Sequence, residues 1–149
     1  MRRTVRVLGI TGALASTLAL TACDKPVPLI TVQSGSTSMT ITPSNYAFDA
    51  THDRTSQIDL GEITARSGGT VLIDVPRQVV GRGWAVNAIS LDSKHTVLGG
   101  SGVIVDSHTY RVAAQSNNGN PFIVQVLQLR DGKPDSSVWS FLVKVSDAA

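Results

Sequence analysis

The stretch "PFIVQVLQLRDGKPDSSVWSFLVKV", residues 121–145, decides the fold of this chain. Two runs rich in β-branched and aromatic residues flank the polar, glycine- and proline-containing segment 130–136. In the second run Trp139, Phe141, Val143 and Val145 alternate, so they share one face of a strand. The pattern predicts a long antiparallel hairpin that closes the domain.

Upstream of this hairpin the chain is a series of short β-type runs divided by turn residues. "TVLIDV" (70–75) alternates clearly and Pro76 stops it, because proline cannot donate to a sheet. "GWAVNAISL" (83–91) changes phase toward its end, which suggests a bulge. About eight or nine strands are expected, which is typical of an immunoglobulin-like antiparallel β-sandwich, an all-β fold. Trp84 and Trp139 are the expected core anchors.

The first residues have the pattern of a secretory signal. "MRRTVR" carries three arginines and no acid, and Val7–Leu20 is free of charge. Fourteen residues make a helix of about 21 Å, which is short of the roughly 30 Å hydrocarbon core of a membrane. We therefore predict a cleaved signal peptide over residues 1–22, a short tether over 23–28 and one β-sandwich domain over 29–147.

Cys23 is the only cysteine of the chain and follows directly after this segment. The residues Leu20-Thr21-Ala22-Cys23 resemble the lipobox of bacterial lipoproteins. The resemblance implies cleavage between Ala22 and Cys23, fatty acylation (palmitate) through a diacylglyceryl group on the Cys23 sulfur, and a position on the outer face of the cell membrane. Two acyl chains suffice for stable anchoring. The alternative is an ordinary signal peptide with an incidental cysteine.

The basic charge of the chain belongs to the predicted signal. The full sequence has 13 basic and 11 acidic side chains, and removing Arg2, Arg3 and Arg6 leaves 10 against 11. The predicted mature domain thus has a net charge of −1, and no nucleic-acid partner is expected.

Patterns that would support catalysis or metal binding are weak. Asp49, His52 and Asp53 offer oxygen and imidazole ligands, but they are few and Arg54 opposes a cation, so a solvated polar loop is predicted. "GGSGV" (99–103) lacks the last glycine of G-x-S-x-G. The glycine pairs do not complete a phosphate-binding G-x-G-x-x-G. We expect no enzymatic activity, catalytic residue, metal site or cofactor.

At the level of the whole chain, the sequence resembles a family of small actinobacterial lipoproteins that share a domain of unknown function. The resemblance rests on the lipobox, on "GGTVLIDV" (68–75) leading to "GRGWAV" (81–86), and on the closing hairpin. It implies an envelope protein and brings no established activity.

Single positions also resemble the chagasin-like inhibitors of papain-type cysteine proteases, which are sandwiches of similar size. Gly81 and Trp84 match the glycine and tryptophan of the first inhibitory loop, but residues 77–80 replace its Asn-Pro-Thr-Thr tip. Gly100 and Gly102 match the second loop. Of the Arg-Pro-Trp of the third, only Arg130 is present. The resemblance implies protease inhibition as an alternative function.

The leading prediction is a membrane-anchored, non-enzymatic module that binds an envelope protein or ligand through its loops. The loop 115–121 is one candidate. The candidate binding residues of the other loops are Val80, Gly81, Arg82, Gly83, Gly100, Ser101, Gly102, Arg130 and Asp131. If the chagasin-like loop order holds, the loops 79–83, 99–102 and 130–136 gather at one end of the sandwich.

Overall fold

The computed structural model describes residues 26–47, 53–55, 60–92, 94–115 and 119–146. Within these residues the chain forms eleven strands and a single helical turn. The strands are β1 (Ile30–Ser34), β2 (Thr37–Ile41), β3 (Asn45–Ala47), β4 (Asp53–Thr55), β5 (Gly61–Arg66), β6 (Thr70–Asp74), β7 (Trp84–Ser90), β8 (Val97–Gly100), β9 (Thr109–Ala113), β10 (Phe122–Arg130) and β11 (Lys133–Ser146); the helical turn is α1 (Arg77–Val80).

The strands form two sheets that enclose one apolar core, so the predicted all-β sandwich is confirmed. One sheet has the order β2-β1-β6-β9. The other has the order β4-β3-β11-β10-β7-β8, and β5 also pairs with β11. The core is built from the alternating apolar residues of both sheets, as the period-two pattern of the sequence requires.

The closing hairpin is present as predicted. β10 and β11 pair from Phe122↔Val143 to Arg130↔Lys133, with a register shift between Leu127 and Leu129. Asp131 (φ 53°) and Gly132 (φ 74°) make the connecting turn in the left-handed region, which glycine adopts freely and aspartate tolerates better than most residues.

One pair departs from the antiparallel pattern. β5 runs parallel to β11, from Phe141↔Gly61 to Ser146↔Arg66. Among the described residues, the edge of β11 that faces away from β10 is otherwise paired with β3, at Val138. β5 occupies the rest of that edge, and Ile63 and Ala65 are buried there.

Trp84 and Trp139 lie fully inside the core, which confirms their predicted role. The indole Nε1–H of Trp139 donates to the carbonyl oxygen of Pro28 at 3.0 Å. The indole Nε1–H of Trp84 donates to the carbonyl oxygen of Ser107 at 2.9 Å. Each tryptophan therefore fixes a non-strand segment to the core.

Two local predictions need correction around β7. The expected loop after Pro76 contains the helical turn α1, whose Val79 is completely buried and closes one end of the core. The expected bulge does not interrupt β7 against β10, where pairing is continuous. The register shift lies on the other side, against β8, where Leu98 is the extra residue. Ala88 therefore stays on the core face of β7.

Several predictions concern residues outside the described ranges. They are the signal over 1–22, cleavage at Ala22, lipidation at Cys23, and the part of the polar loop with Asp49 and His52. Asp53 and Arg54, predicted in the same loop, lie instead in β4, which pairs with β3. No helix in the described part of the chain is long and apolar enough to cross a membrane.

Candidate functional site

Two of the predicted loops meet at one end of the sandwich, which we call the loop end (residues 77–83, 103–105 and 130–135). The antiparallel pairing of β7 with β10 brings the start of β7 to the end of β10. The backbone N–H of Leu129 donates to the carbonyl oxygen of Gly83 at 2.9 Å, and the Gln128 side chain donates to the carbonyl oxygen of Gln78 at 3.2 Å. The two loops therefore form one connected surface.

An ion-pair cluster joins the two loops. Nη2 of Arg130 lies 3.1 Å from Oδ2 of Asp135, and Nη1 of Arg82 lies 3.6 Å from the same oxygen. The Asp135 side chain is 12% exposed, whereas the Arg82 and Arg130 side chains are 51% and 58% exposed. The carboxylate thus orients two guanidinium groups that still face solvent and can bind an external acceptor.

Apolar side chains border this cluster. Methyl carbons of Val103 and Val105 lie beside Gly83, which has a positive φ of 82°. Val103 is 59% exposed and Val105 is 56% exposed. The loop end therefore combines half-exposed arginines with exposed aliphatic groups.

The third predicted loop does not join the loop end. The backbone N–H of Ser101 donates to the carbonyl oxygen of Val86, and the Ser101 hydroxyl accepts from the N–H of Val86, both at 2.9 Å. Gly100, Ser101 and Gly102 thus lie along the middle of β7. The residues that reach Gly83 are the next ones along the chain, 103–105, because Ile104 pairs with Trp84. The expectation that all three loops gather is corrected to two loops plus this following segment.

The structure also contains an inter-sheet cleft that the sequence pattern did not reveal. It lies between the edge strands β8 and β9, which belong to opposite sheets. It holds a cavity of about 340 Å³, and a second cavity of about 360 Å³ lies beside it between residues 90–92 and 120–122; the two share Leu98 and Phe122 in their walls. The first cavity is lined by β7, β8, β9 and Phe122, with Val86, Ala88 and Val112 among its apolar residues and Tyr110, Arg111 and Gln115 among its polar ones. Its size is in the range of small-molecule and peptide side-chain sites.

β8 forms one rim of the cleft and is a sheet edge whose protection consists of its short length and the bulge at Leu98. It is the last strand of its sheet and every residue in it is exposed. Residues 96–105 contain no charged residue and no proline, which are the usual devices that block pairing with another strand. Val97 is 60% exposed and Leu98 is 41% exposed. The charge-free run was the signal in the sequence, but its position at an edge depends on the tertiary fold.

The turn between β7 and β8 is held by Asp92 at the far end of the cleft. Its Oδ1 accepts from the Ser90 hydroxyl at 2.7 Å and from the Lys94 backbone N–H at 3.1 Å. These bonds, with the Ser90 bond the strongest influence, hold the pKa of the Asp92 carboxyl below its usual 3.8. Asp92 is therefore a carboxylate that orders the start of β8.

Among the residues that the structure describes, no three His, Cys, Asp or Glu side chains lie together as metal ligands. No protein-family model matches the sequence, and a search of curated proteins finds no significant match. The resemblances to the small lipoproteins and to the chagasin-like inhibitors therefore stay predictions.

Proposed function

We propose that the chain is an exported, non-enzymatic lipoprotein, anchored through Cys23, that binds an extended apolar segment of another envelope protein by strand addition to β8. The observation that carries the binding proposal is the combination of an open sheet edge with an apolar cleft beside it. In strand addition the backbone of the edge gives affinity, and pockets for alternate side chains give specificity.

The geometry of the cleft supports this mode of binding. A strand added to the outer side of β8 would place every second side chain toward the other sheet. Leu98 and Phe122 line both cavities there, so apolar side chains of the ligand would contact them. Tyr110 and Arg111 on β9 supply polar groups at the opposite rim.

Protease inhibition is less well supported. An inhibitory first loop must project into an enzyme cleft, but α1 packs Val79 into the core and Gly83 is also buried. Within 79–83, Gly81 and Arg82 are the exposed residues.

The binding proposal is tested with a synthetic capped hexapeptide of alternating valine and threonine, titrated into the isotope-labelled protein and followed by NMR. We expect amide shifts in Val97–Gly100 and at Phe122. The Leu98→Lys variant should lose them, because a charge facing the cleft opposes strand addition. Val103→Lys, an exposed valine outside the cleft, is the matched control and should retain them. Shifts that survive Leu98→Lys would refute binding at this edge.

The anchoring proposal has its own test. The intact mass of detergent-extracted protein should correspond to a chain beginning at Cys23 plus a diacylglyceryl group. The Cys23→Ala variant should lack this increment. An unlipidated wild-type product would refute anchoring and leave the binding proposal untouched.

A further inference from the structure

The chain emerges from the sandwich at the loop end. β1 begins at Ile30, and Thr31 pairs with Asp74, the last residue of β6. β6 leads directly into the loop 75–83, so the start of β1 and the loop end lie on the same side of the molecule. Residues 26–29, which lead into β1, therefore lie on this side.

The extended length of the tether from Pro28 to Cys23 is close to the distance from Val126 to the loop tip at Arg130. Pro28 is bonded to the Trp139 indole, and Trp139 pairs with Val126. From Val126 to Arg130 the sheet rises four residues, about 14 Å at 3.4 Å per residue. From Pro28 back to Cys23 is five residues, at most about 17 Å. A tether of this length is therefore long enough for a lipid on Cys23 to reach the level of the loop tips.

The surface at this level has the composition of a membrane-interface contact. Val103, Val105 and Leu29, next to the tether, are 59%, 56% and 47% exposed. Arg82 and Arg130 present half-exposed guanidinium groups, which bind phosphate oxygens in a bidentate manner. Exposed aliphatic groups beside cationic ones are typical of segments that insert into the headgroup region.

The charge of the loop end is consistent with this contact. Its cationic side chains are Arg77, Arg82, Arg130 and Lys133, against the carboxylates of Asp131 and Asp135, and Asp106 follows at its border. Asp135, the carboxylate of the ion-pair cluster, is already paired with Arg82 and Arg130. The loop end itself therefore has a net charge of +2, which anionic phospholipids favour, and the exposed carboxylates of Asp74 and Asp106 lie at its border.

We infer that the loop end seats on the phospholipid headgroups, with Val103 and Val105 at the interface and Arg82 and Arg130 on lipid phosphates. The inference rests on the proposed lipid anchor at Cys23. It places β8 away from the bilayer, because Val97 pairs with Ile89 toward the opposite end of β7. The membrane orients the domain, and the edge and the cleft stay accessible to a partner.

The test uses the lipidated full-length product reconstituted in vesicles of phosphatidylethanolamine and phosphatidylglycerol. With Cys23 acylated, an introduced cysteine is the single free thiol. Spin labels are attached to the Val103→Cys variant and to Ser36→Cys, in the exposed β1–β2 turn at the opposite end. We expect the label at 103 to be more accessible to oxygen than to an aqueous nickel chelate. The label at 36 should show the reverse.

Charge variants provide the second readout. The double variant Arg82→Ala/Arg130→Ala should raise nickel accessibility at position 103 severalfold. The control variant Arg66→Ala should not, because Arg66 is an exposed arginine at the end of the sandwich opposite the loop end. A lipidated protein whose label at 103 is as water-accessible as that at 36 would overturn this inference alone. A mass without the lipid increment would overturn it together with the anchoring proposal.

Discussion

Trp139 connects the first described residues of the domain to its last strand through one buried hydrogen bond. Trp139→Phe removes the donor and leaves the Pro28 carbonyl oxygen buried without it, in addition to creating a cavity. We expect unfolding free energy to fall by about 2–4 kcal/mol, measured by urea denaturation. Trp84→Phe is the matched control: Trp84 is equally buried, but its acceptor at Ser107 is partly accessible to water. Trp84→Phe should lower the unfolding free energy by less than Trp139→Phe does. Equal decreases in the two variants would contradict this explanation.

Asp135 is the residue that organises the loop end. Asp135→Asn keeps the shape of the side chain but removes the charge that faces Arg82 and Arg130. Because the carboxylate is largely buried, we expect a loss of about 1–2 kcal/mol in unfolding free energy. Thermal denaturation checks this value. Asp131→Asn removes the same charge from an exposed position of the same turn, and a change above about 0.5 kcal/mol there would argue against a specific role for Asp135.

At the scale of elements, the position of β8 depends on a close approach at Gly100. A Cβ atom there would lie 2.8 Å from Oδ1 of Asn87 and 3.2 Å from the Val86 carbonyl oxygen, whereas Gly99 has open space. Gly100→Ala should therefore turn the Asn87 side chain away, shift β8 slightly from β7 and cost about 1 kcal/mol. Hydrogen exchange at the Ser101 amide should accelerate, since its acceptor is Val86. Gly99→Ala should leave that exchange unchanged, and equal effects of the two variants would refute the steric explanation.

The turn that begins β8 should respond to acid. The pKa of Asp92 is lowered in the folded protein, chiefly by the Ser90 hydroxyl. Its contribution is therefore complete above about pH 3.8 and is lost as the pH falls through the lower folded value. We expect the Lys94 amide resonance, whose N–H donates to Asp92, to titrate with a midpoint below 3.8. A midpoint at or above 3.8, or the same titration in Asp92→Asn, would contradict the assignment.

The strands that were predicted best are those whose own residues alternate between apolar and polar. Alternation alone identified β6, β10 and β11, because each buries one face and exposes the other. The parallel pairing of β5 with β11 has no local signal, since it joins residues about 80 positions apart. α1 is too short to show a helical period, and it forms where Pro76 ends β6 and the chain must close the core.

At the scale of the whole molecule, the fold depends on contacts between distant parts of the chain. The Trp139–Pro28 bond spans 111 residues, and β5 pairs with the last strand. Non-local β pairing requires large loops to close before their contacts can offset the lost entropy, so refolding should take milliseconds to seconds. Stopped-flow tryptophan fluorescence measures this rate. Complete recovery of the signal in microseconds would show that the core forms before these distant segments pair.

The candidate site was only partly predictable for the same reason. Glycine and polar turn residues identified the loops at 80–83 and 130–131, and the chagasin-like loop order predicted that they meet, but no local pattern indicated that Arg82 and Arg130 share one carboxylate. Their common partner Asp135 was not singled out, because an aspartate after a turn resembles any solvated one. The cleft depends on the separation of the two sheets at β8 and β9, a property of packing rather than of any single run of residues.

The opposite placement of the two ends of the domain has a mechanical consequence. β1 begins at the loop end, and β11 finishes at the other. A pulling force between the N-terminal tether and a load attached after β11 would act along the strands. The hydrogen bonds that flank β11 on β10 and β5 would then be strained in shear, many at once, instead of being unzipped one by one. Such a force would also load β1 in shear, at its pairs with β2 and β6.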